Sequence, residues 1–271
     1  MLLLLFFAVG CSSVPPEQRK RLAQNLATQA GWSEKVLQTE SFLLMSYGPQ
    51  TAEAVDTITV YLEGDGYAWI GGRYPSDDPT PMSPIALQLA LAQPSGTAVY
   101  LARPCQFLKT ENGSRCSNLL WTRDRFSVQV LVSMNQALEQ IKIIYGAKSV
   151  ILVGYSGGAR IALELAATRN DIDGLATVAG NMDPAGWVQA LGLLPLSVSQ
   201  DDRDLIHATE RLPQTYFVGD QDVVVPADLT LQFVSRFPPD HKPQVRSIRG
   251  NGHVCCWVEQ WPLLWRNLSE N

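Results

Sequence analysis

Two periodicities divide the chain. Short apolar or β-branched runs at 57–62, 97–101, 150–153, 174–179, 215–218 and 244–248 read as strands, and residues 36–47 alternate loosely and predict another, stopped by Gly48-Pro49. Between them, apolar residues recur at helical spacing. Helices are predicted over 17–30 (ended by Gly31), 85–93 (capped by Ser83, with Pro84 at its first position), 123–145, 184–191 and 227–237. Phe126, Val130, Ala137 and Ile141 fall on one face of the longest, and Trp261, Leu264, Trp265 and Leu268 give a closing helix a face to pack on the sheet. No strand pattern appears between 180 and 212, where a Leu-Pro-Leu break separates a helical piece from the acidic, helix-like stretch 200–210.

The stretch that carries chemistry is 149–168. Val150, Ile151, Leu152 and Val153 form a strand, Gly154-Tyr155-Ser156-Gly157-Gly158 a turn, and Ala159, Ile161, Ala162, Leu165 and Ala166 a helix face. Such glycines also close βα turns in other doubly wound folds. A Gly-x-Ser-x-Gly turn between strand and helix resembles the nucleophile elbow of the α/β hydrolases, in which a strained turn lifts the serine hydroxyl above the sheet. The resemblance implies an α/β-hydrolase fold, with a mostly parallel twisted sheet, helices on both faces and a small lid or none. It makes Ser156 the nucleophile.

The same resemblance places the other groups. The backbone N–H after the serine, at Gly157, and one from the loop Glu63-Gly64-Asp65-Gly66-Tyr67, at Asp65, would form the oxyanion hole. Glu63-Gly64 stands where many relatives have His-Gly. Two carboxylates beside an oxyanion oppose its charge unless they turn away or are paired, with Arg73 or Arg103 as partners. In Gly219-Asp220-Gln221-Asp222-Val223-Val224-Val225-Pro226 the resemblance makes Asp222 the catalytic acid, with Asp220 as its rival. His253, in a glycine-rich loop after the last strand, becomes the general base; His207 precedes the acid and His241 precedes that strand. A lid at 181–212, shaping an acyl pocket from Met182, Trp187, Leu191, Leu193 and Leu194, and an ordinary surface connection both fit the remaining segment.

Composition adds bounds. With 271 residues, 46% hydrophobic and 17% charged, the chain is long enough for one large core. A net charge of −5 supplies no basic surplus for a nucleic-acid partner. Leu2 to Val9 is an apolar run too short to span a bilayer and reads as a signal-peptide core. It ends at Ala8-Val9-Gly10-Cys11, which resembles a bacterial lipoprotein signal whose cysteine is lipidated; plain secretion is the alternative. The expected organisation is a signal peptide at 1–10, a tether and helix at 11–35, and the hydrolase domain at 36–271.

Four further cysteines fit an oxidising compartment. Cys105 and Cys116 bracket a polar loop with no apolar anchor of its own, so a disulfide between them is expected, while Cys255 and Cys256 remain open between a vicinal bridge, other pairings and free thiols. No metal or organic cofactor is expected. The function these features imply is a periplasm-facing serine esterase or lipase on a small acyl ester, attached to the envelope, the outer membrane first, through Cys11. A surface-tethered binding or scaffold protein without turnover is the competing reading; oligomeric state is left open.

Overall fold

The computed structural model describes residues 14–50 and 55–269, so the expected signal segment 1–10 and Cys11 lie outside the described residues. Eight strands, β1 Trp32–Gln38, β2 Leu43–Pro49, β3 Thr57–Leu62, β4 Thr97–Leu101, β5 Ser149–Tyr155, β6 Ile172–Val178, β7 Gln214–Gly219 and β8 Gln244–Ile248, form one sheet in the order β1-β2-β4-β3-β5-β6-β7-β8. β1 and β2 pair antiparallel, as do β2 and β4, and every other pairing is parallel. Parallel neighbours need crossover segments, so the loops that leave β3, β5, β7 and β8 all gather at one edge.

The main helices are α1 Pro16–Gln29, α2 Ile85–Leu91, α3 Val128–Tyr145, α4 Gly157–Thr168, α5 Pro184–Leu191, α6 Asp202–Thr209, α7 Ala227–Ser235 and α8 Trp257–Ser269. Side chains alternate across each strand and feed two cores. Ile58, Val60 and Leu62 of β3 join the face covered by α3, α4, α6 and α7. Tyr61 joins the opposite face, where α1, α2 and α8 supply Ala23, Leu87, Trp261 and Trp265.

Several boundaries differ from expectation. The strand expected at 36–47 is a hairpin: Thr39 Oγ1 donates to Phe42 O at 2.8 Å and accepts from Phe42 N at 3.0 Å, which turns the chain between β1 and β2. Residues 32–35, assigned to the tether, belong to β1. The long helix starts at Val128, not 123, because Arg125 turns its Nε to Thr122 O and Ser127 N closes on Asp124 O before helical pairing begins. Ser83 does not cap α2; its hydroxyl accepts from Gln88 Nε2 at 2.7 Å, and Pro84 stands before the first helical residue.

The connection 180–212 is pinned to the sheet by one buried cation. Arg160 of α4 has no exposed surface and donates from Nε to Glu164 at 2.7 Å, from Nη1 to Asp202 at 2.6 Å and Met182 O at 3.0 Å, and from Nη2 to Gln200 O at 2.8 Å. Both ends of the segment meet this one guanidinium. Arg160→Met is expected to leave Glu164 buried without its cation and to lower stability by about 3–5 kcal/mol, read by urea unfolding. Arg160→Met with Glu164→Leu should recover most of that loss; a single variant as stable as the parent would show that the segment is held some other way.

Candidate active site

The turn after β5 puts Ser156 at φ 52° and ψ −122°, a conformation that L side chains rarely adopt. The backbone around it is tied down: Ser156 N donates to Val178 O at 3.0 Å, and Ser156 O accepts from Ala159 N at 3.1 Å and Asn181 N at 3.0 Å. Gly154 and Gly158 are required by close approach, since a Cβ on Gly154 would strike the Ala159 backbone and one on Gly158 the carbonyls of Leu62 and Glu63. The hydroxyl is thereby presented above the gathered loops.

His253 and Asp222 meet it in series. Ser156 Oγ lies 2.9 Å from His253 Nε2, and His253 Nδ1 lies 2.9 Å from Asp222 Oδ2. The second contact sets the tautomer: a carboxylate on Nδ1 holds the proton there and leaves Nε2 as acceptor for the serine hydroxyl. Asp222 is fixed in turn, because its Oδ1 accepts from Val224 N and Val225 N, both at 2.8 Å, and its side chain is wholly buried. The His253 carbonyl accepts from Tyr155 Oη at 3.0 Å and from Trp257 Nε1 at 3.2 Å, so the loop cannot slide along the sheet edge. Asp220 faces elsewhere, with its Oδ1 accepting from Gly250 N at 2.7 Å to tie the β7 and β8 turns together. His207 and His241 lie on α6 and in the 3₁₀ turn before β8, away from this cluster.

The loop after β3 packs on the elbow. A Cβ on Gly64 would stand 3.1 Å from Ser156 Cβ, and one on Gly157 would collide with the Asp65 carboxylate. Gly64 N is taken by Glu63 Oε1 at 3.0 Å, whereas the amides of Asp65 and Gly157 have no partner among the described residues and remain able to donate. The two acidic side chains are handled differently. Asp65 is paired by Arg103 Nη1 at 3.4 Å and by Arg125 Nη1, both guanidiniums being buried; Arg73 instead lies over the Tyr74 ring. Glu63 points into the protein toward the start of α2. Burial pushes its carboxyl up to about 7, while the amides of Gly64, Ala86 and Leu87 pull the other way.

Cys105 and Cys116 are at disulfide distance with Cα atoms 5.8 Å apart; Cys255 and Cys256, just after His253, are also at disulfide distance. The first pair folds its loop onto the site. Gln106 Nε2 donates to Gly64 O at 2.9 Å, its Oε1 accepts from Arg103 N at 3.0 Å, and the Cys105 side chain is buried. Sequence reasoning missed Arg125 and Gln106. An unpaired Asp65 asked for a second cation, and Arg125 lies just past the bracketed loop, but nothing in the pattern marks Gln106.

A cleft of about 400 Å³ opens beside Ser156 and His253, with Tyr67, Ala68, Trp69, Met82, Val224 and Val254 on its apolar side and Arg125 also in its lining. Trp187 of α5 borders it, its Nε1 donating to Val224 O at 2.7 Å. Of the five residues expected to shape an acyl pocket, Trp187 alone lines this cleft; Met182 is buried in the core, and Leu191, Leu193 and Leu194 are exposed elsewhere. A cavity of about 440 Å³ at the opposite edge, between Asp173, Pro213 and Gln244, contains none of these groups.

No sequence-family model and no curated protein matches the chain. Solved structures do. Est1E from Butyrivibrio proteoclasticus matches with a TM-score of 0.61 at 13% identity, over 88% of this chain and 96% of its own. An alpha-beta serine hydrolase homologue from Coxiella burnetii gives 0.57 at 17%, over 88% and 96%, and carboxylesterase CesB from Bacillus subtilis 0.58 at 9%, over 95% and 98%. At these identities the likeness establishes the fold: the chain has the α/β-hydrolase fold, as expected.

Glu63 generates a prediction about pH. Its folded-state value of about 7 exceeds the ordinary 4.5, so between those values the folded chain holds a proton that the unfolded chain has released. Stability contributed by the neutral carboxyl is complete below pH 4.5 and is lost as pH rises toward 7. In Glu63→Gln that part of the slope should vanish, so the gap between parent and variant changes across pH 5, 6 and 7 in urea unfolding. Parallel profiles would mean that the carboxyl does not titrate there.

Proposed function

We propose that this chain is an exported, lipid-anchored serine hydrolase that cleaves a carboxylic ester through an acyl-enzyme intermediate. One observation carries the reading: the unbroken series from Ser156 Oγ through the His253 ring to Asp222, with 2.9 Å at each step. The names of two fold relatives, a serine hydrolase homologue and a carboxylesterase, support the reaction class.

In this reading His253 Nε2 takes the Ser156 proton as Oγ attacks the ester carbonyl. Asp222 holds the ring and stabilises the imidazolium, and the Gly157 and Asp65 amides donate to the developing oxyanion. The imidazolium then protonates the departing alkoxide, and water, deprotonated by the same nitrogen, releases the acid. Each amide donor contributes about 10²- to 10³-fold in rate. The helix that begins at Gly157 adds its positive end at the same point. The apolar side of the cleft receives the acyl chain, which favours a small or medium acyl ester over a charged substrate. Neither residues nor steps call for a cofactor. The rival reading, a module without turnover, drew on Glu63 and Asp65 beside the oxyanion; the pairing of Asp65 with two arginines and the burial of Glu63 leave it without that support.

Ser156→Ala should abolish fluorophosphonate labelling and turnover of a short-chain p-nitrophenyl ester while circular dichroism stays unchanged. Asp222→Asn is expected to lower kcat by about 10⁴-fold, whereas Asp220→Asn, whose contact is to the Gly250 amide, should stay within a few-fold. Equal losses in the two aspartate variants would refute the assignment of the acid. For the anchor, labelled palmitate should appear on the parent chain in cells and be absent from Cys11→Ser.

A further inference from the structure

We infer that the mouth of the cleft rests on a lipid bilayer and draws an amphiphilic acyl ester from it; this deepens the proposed function and rests on the lipid-anchored reading of Cys11. Two independent features converge on the same edge of the sheet.

The first is the surface around the mouth. Trp69, Met82, Val224 and Val254 line the cleft and are each more than a third exposed. The two-residue hairpin that pairs Trp69 with Pro75 and Ile70 with Tyr74 carries two further exposed apolar side chains, Ile70 and Tyr74, and Val223 continues the patch at 83% exposure. Single exposed apolar residues are ordinary on a protein surface, but a ring of them around one opening marks a contact site. Its composition suits the headgroup region: Trp69 and Tyr74 are amphipathic, and the Arg73 guanidinium lies 5.7 Å from the Tyr74 ring, an aromatic with a cation at its side.

The second feature chooses the occupant. α1 begins at this edge. Arg19, buried in its first turns, donates to Thr80 O and lies 5.2 Å over the ring of Tyr67, a residue of the cleft wall, and Lys20 pairs with Glu111 at 3.1 Å. Cys11 precedes Pro16 by five residues, and at about 3.3–3.6 Å per residue the intervening chain reaches at most about 18 Å. A lipid on Cys11 therefore holds the headgroup surface close to the cleft mouth and away from the far edge, where α1 ends. The lipid on Cys11 supplies the attachment, and an apolar rim beside it fixes which face meets the bilayer. Among the described residues no helix is long and apolar enough to cross a membrane, so the contact is superficial. An ester whose chain lies in the bilayer presents its carbonyl at the depth of the headgroups, where the rim would deliver it to Ser156.

The test uses the full-length lipidated chain in vesicles of phosphatidylethanolamine and phosphatidylglycerol with dibrominated acyl chains. Tryptophan emission should be quenched, and Trp69→Phe should remove most of the quenching. Ile70→Ser with Tyr74→Ser should slow hydrolysis of a vesicle-borne acyl ester at least tenfold while leaving a soluble short-chain ester within twofold, and Ile143→Ser, exposed at the end of α3 on the far edge, should change neither. Quenching indifferent to Trp69, or equal loss on both esters, overturns the docking. A parent chain with Trp69-dependent quenching and no turnover of either ester would sink the hydrolase reading and leave the orientation standing, while turnover of the soluble ester without such quenching would sink the orientation alone.

Discussion

Everything at the site depends on a residue that the backbone would rather not accommodate. A serine at φ 52° costs about 1–3 kcal/mol and persists only where its surroundings over-determine it. Here they do so from three sides: β6 accepts its amide through Val178 O, Asn181 and Ala159 donate to its carbonyl, and the glycines at 154 and 158 let β3 and α4 close in where any side chain would intervene. β5 lies between β3 and β6, so the strained turn is braced by neighbours on both sides. The loops that bring Asp65 and His253 to the hydroxyl are leaving strands of the same sheet. A looser elbow would scatter them.

The second constraint is electrostatic. In the proposed reaction an oxyanion develops within reach of a loop that contains two carboxylates, and opposite solutions serve the two. Glu63 is taken out of water, which favours its neutral form, and Asp65 is faced with two buried guanidiniums. That pairing ties the cysteine-bracketed loop to the site, because Arg103 immediately precedes it, Gln106 belongs to it and Arg125 follows it. The loop holds the Gly64 carbonyl from outside while Glu63 holds the Gly64 amide from inside, and the Asp65 amide between them is fixed as a consequence.

Much of this was legible before any coordinates. The central strands announced themselves as apolar and β-branched runs, and β3, β4 and β8 begin and end where the pattern says, with glycine, proline or charge at or next to each boundary. The approach of Ser156, Asp222 and His253 was expected from the resemblance to the α/β hydrolases, which puts one of them just past the end of each of three strands. What escaped were features set by partners distant in sequence. A turn made by the Thr39 hydroxyl looks like continued alternation. The start of α3 at Val128 is delayed by Arg125, whose guanidinium is claimed by a residue sixty positions earlier. Ser83 has the chemistry of a cap, yet it is Glu63, from the loop after β3, that faces the amides of α2.

The direction of one edge strand decides at which edge of the sheet the first helix begins. β2 runs opposite to β4, and β1 opposite to β2, so β1 enters the sheet at the edge far from the cleft, with Trp32 beside Pro49. The helix that feeds it must end there. Fourteen residues at about 1.5 Å each carry α1 roughly 21 Å, about the depth of the sheet, so it has to start at the cleft edge, and Ala23 and Ala27 packed in the core leave it no other line. Had β1 been parallel to its neighbour, the same helix would enter from below and an anchor on Cys11 would turn the cleft away from the membrane. The antiparallel hairpin at 32–49 sets the hydroxyl of Ser156 on the side of the sheet where α1 begins.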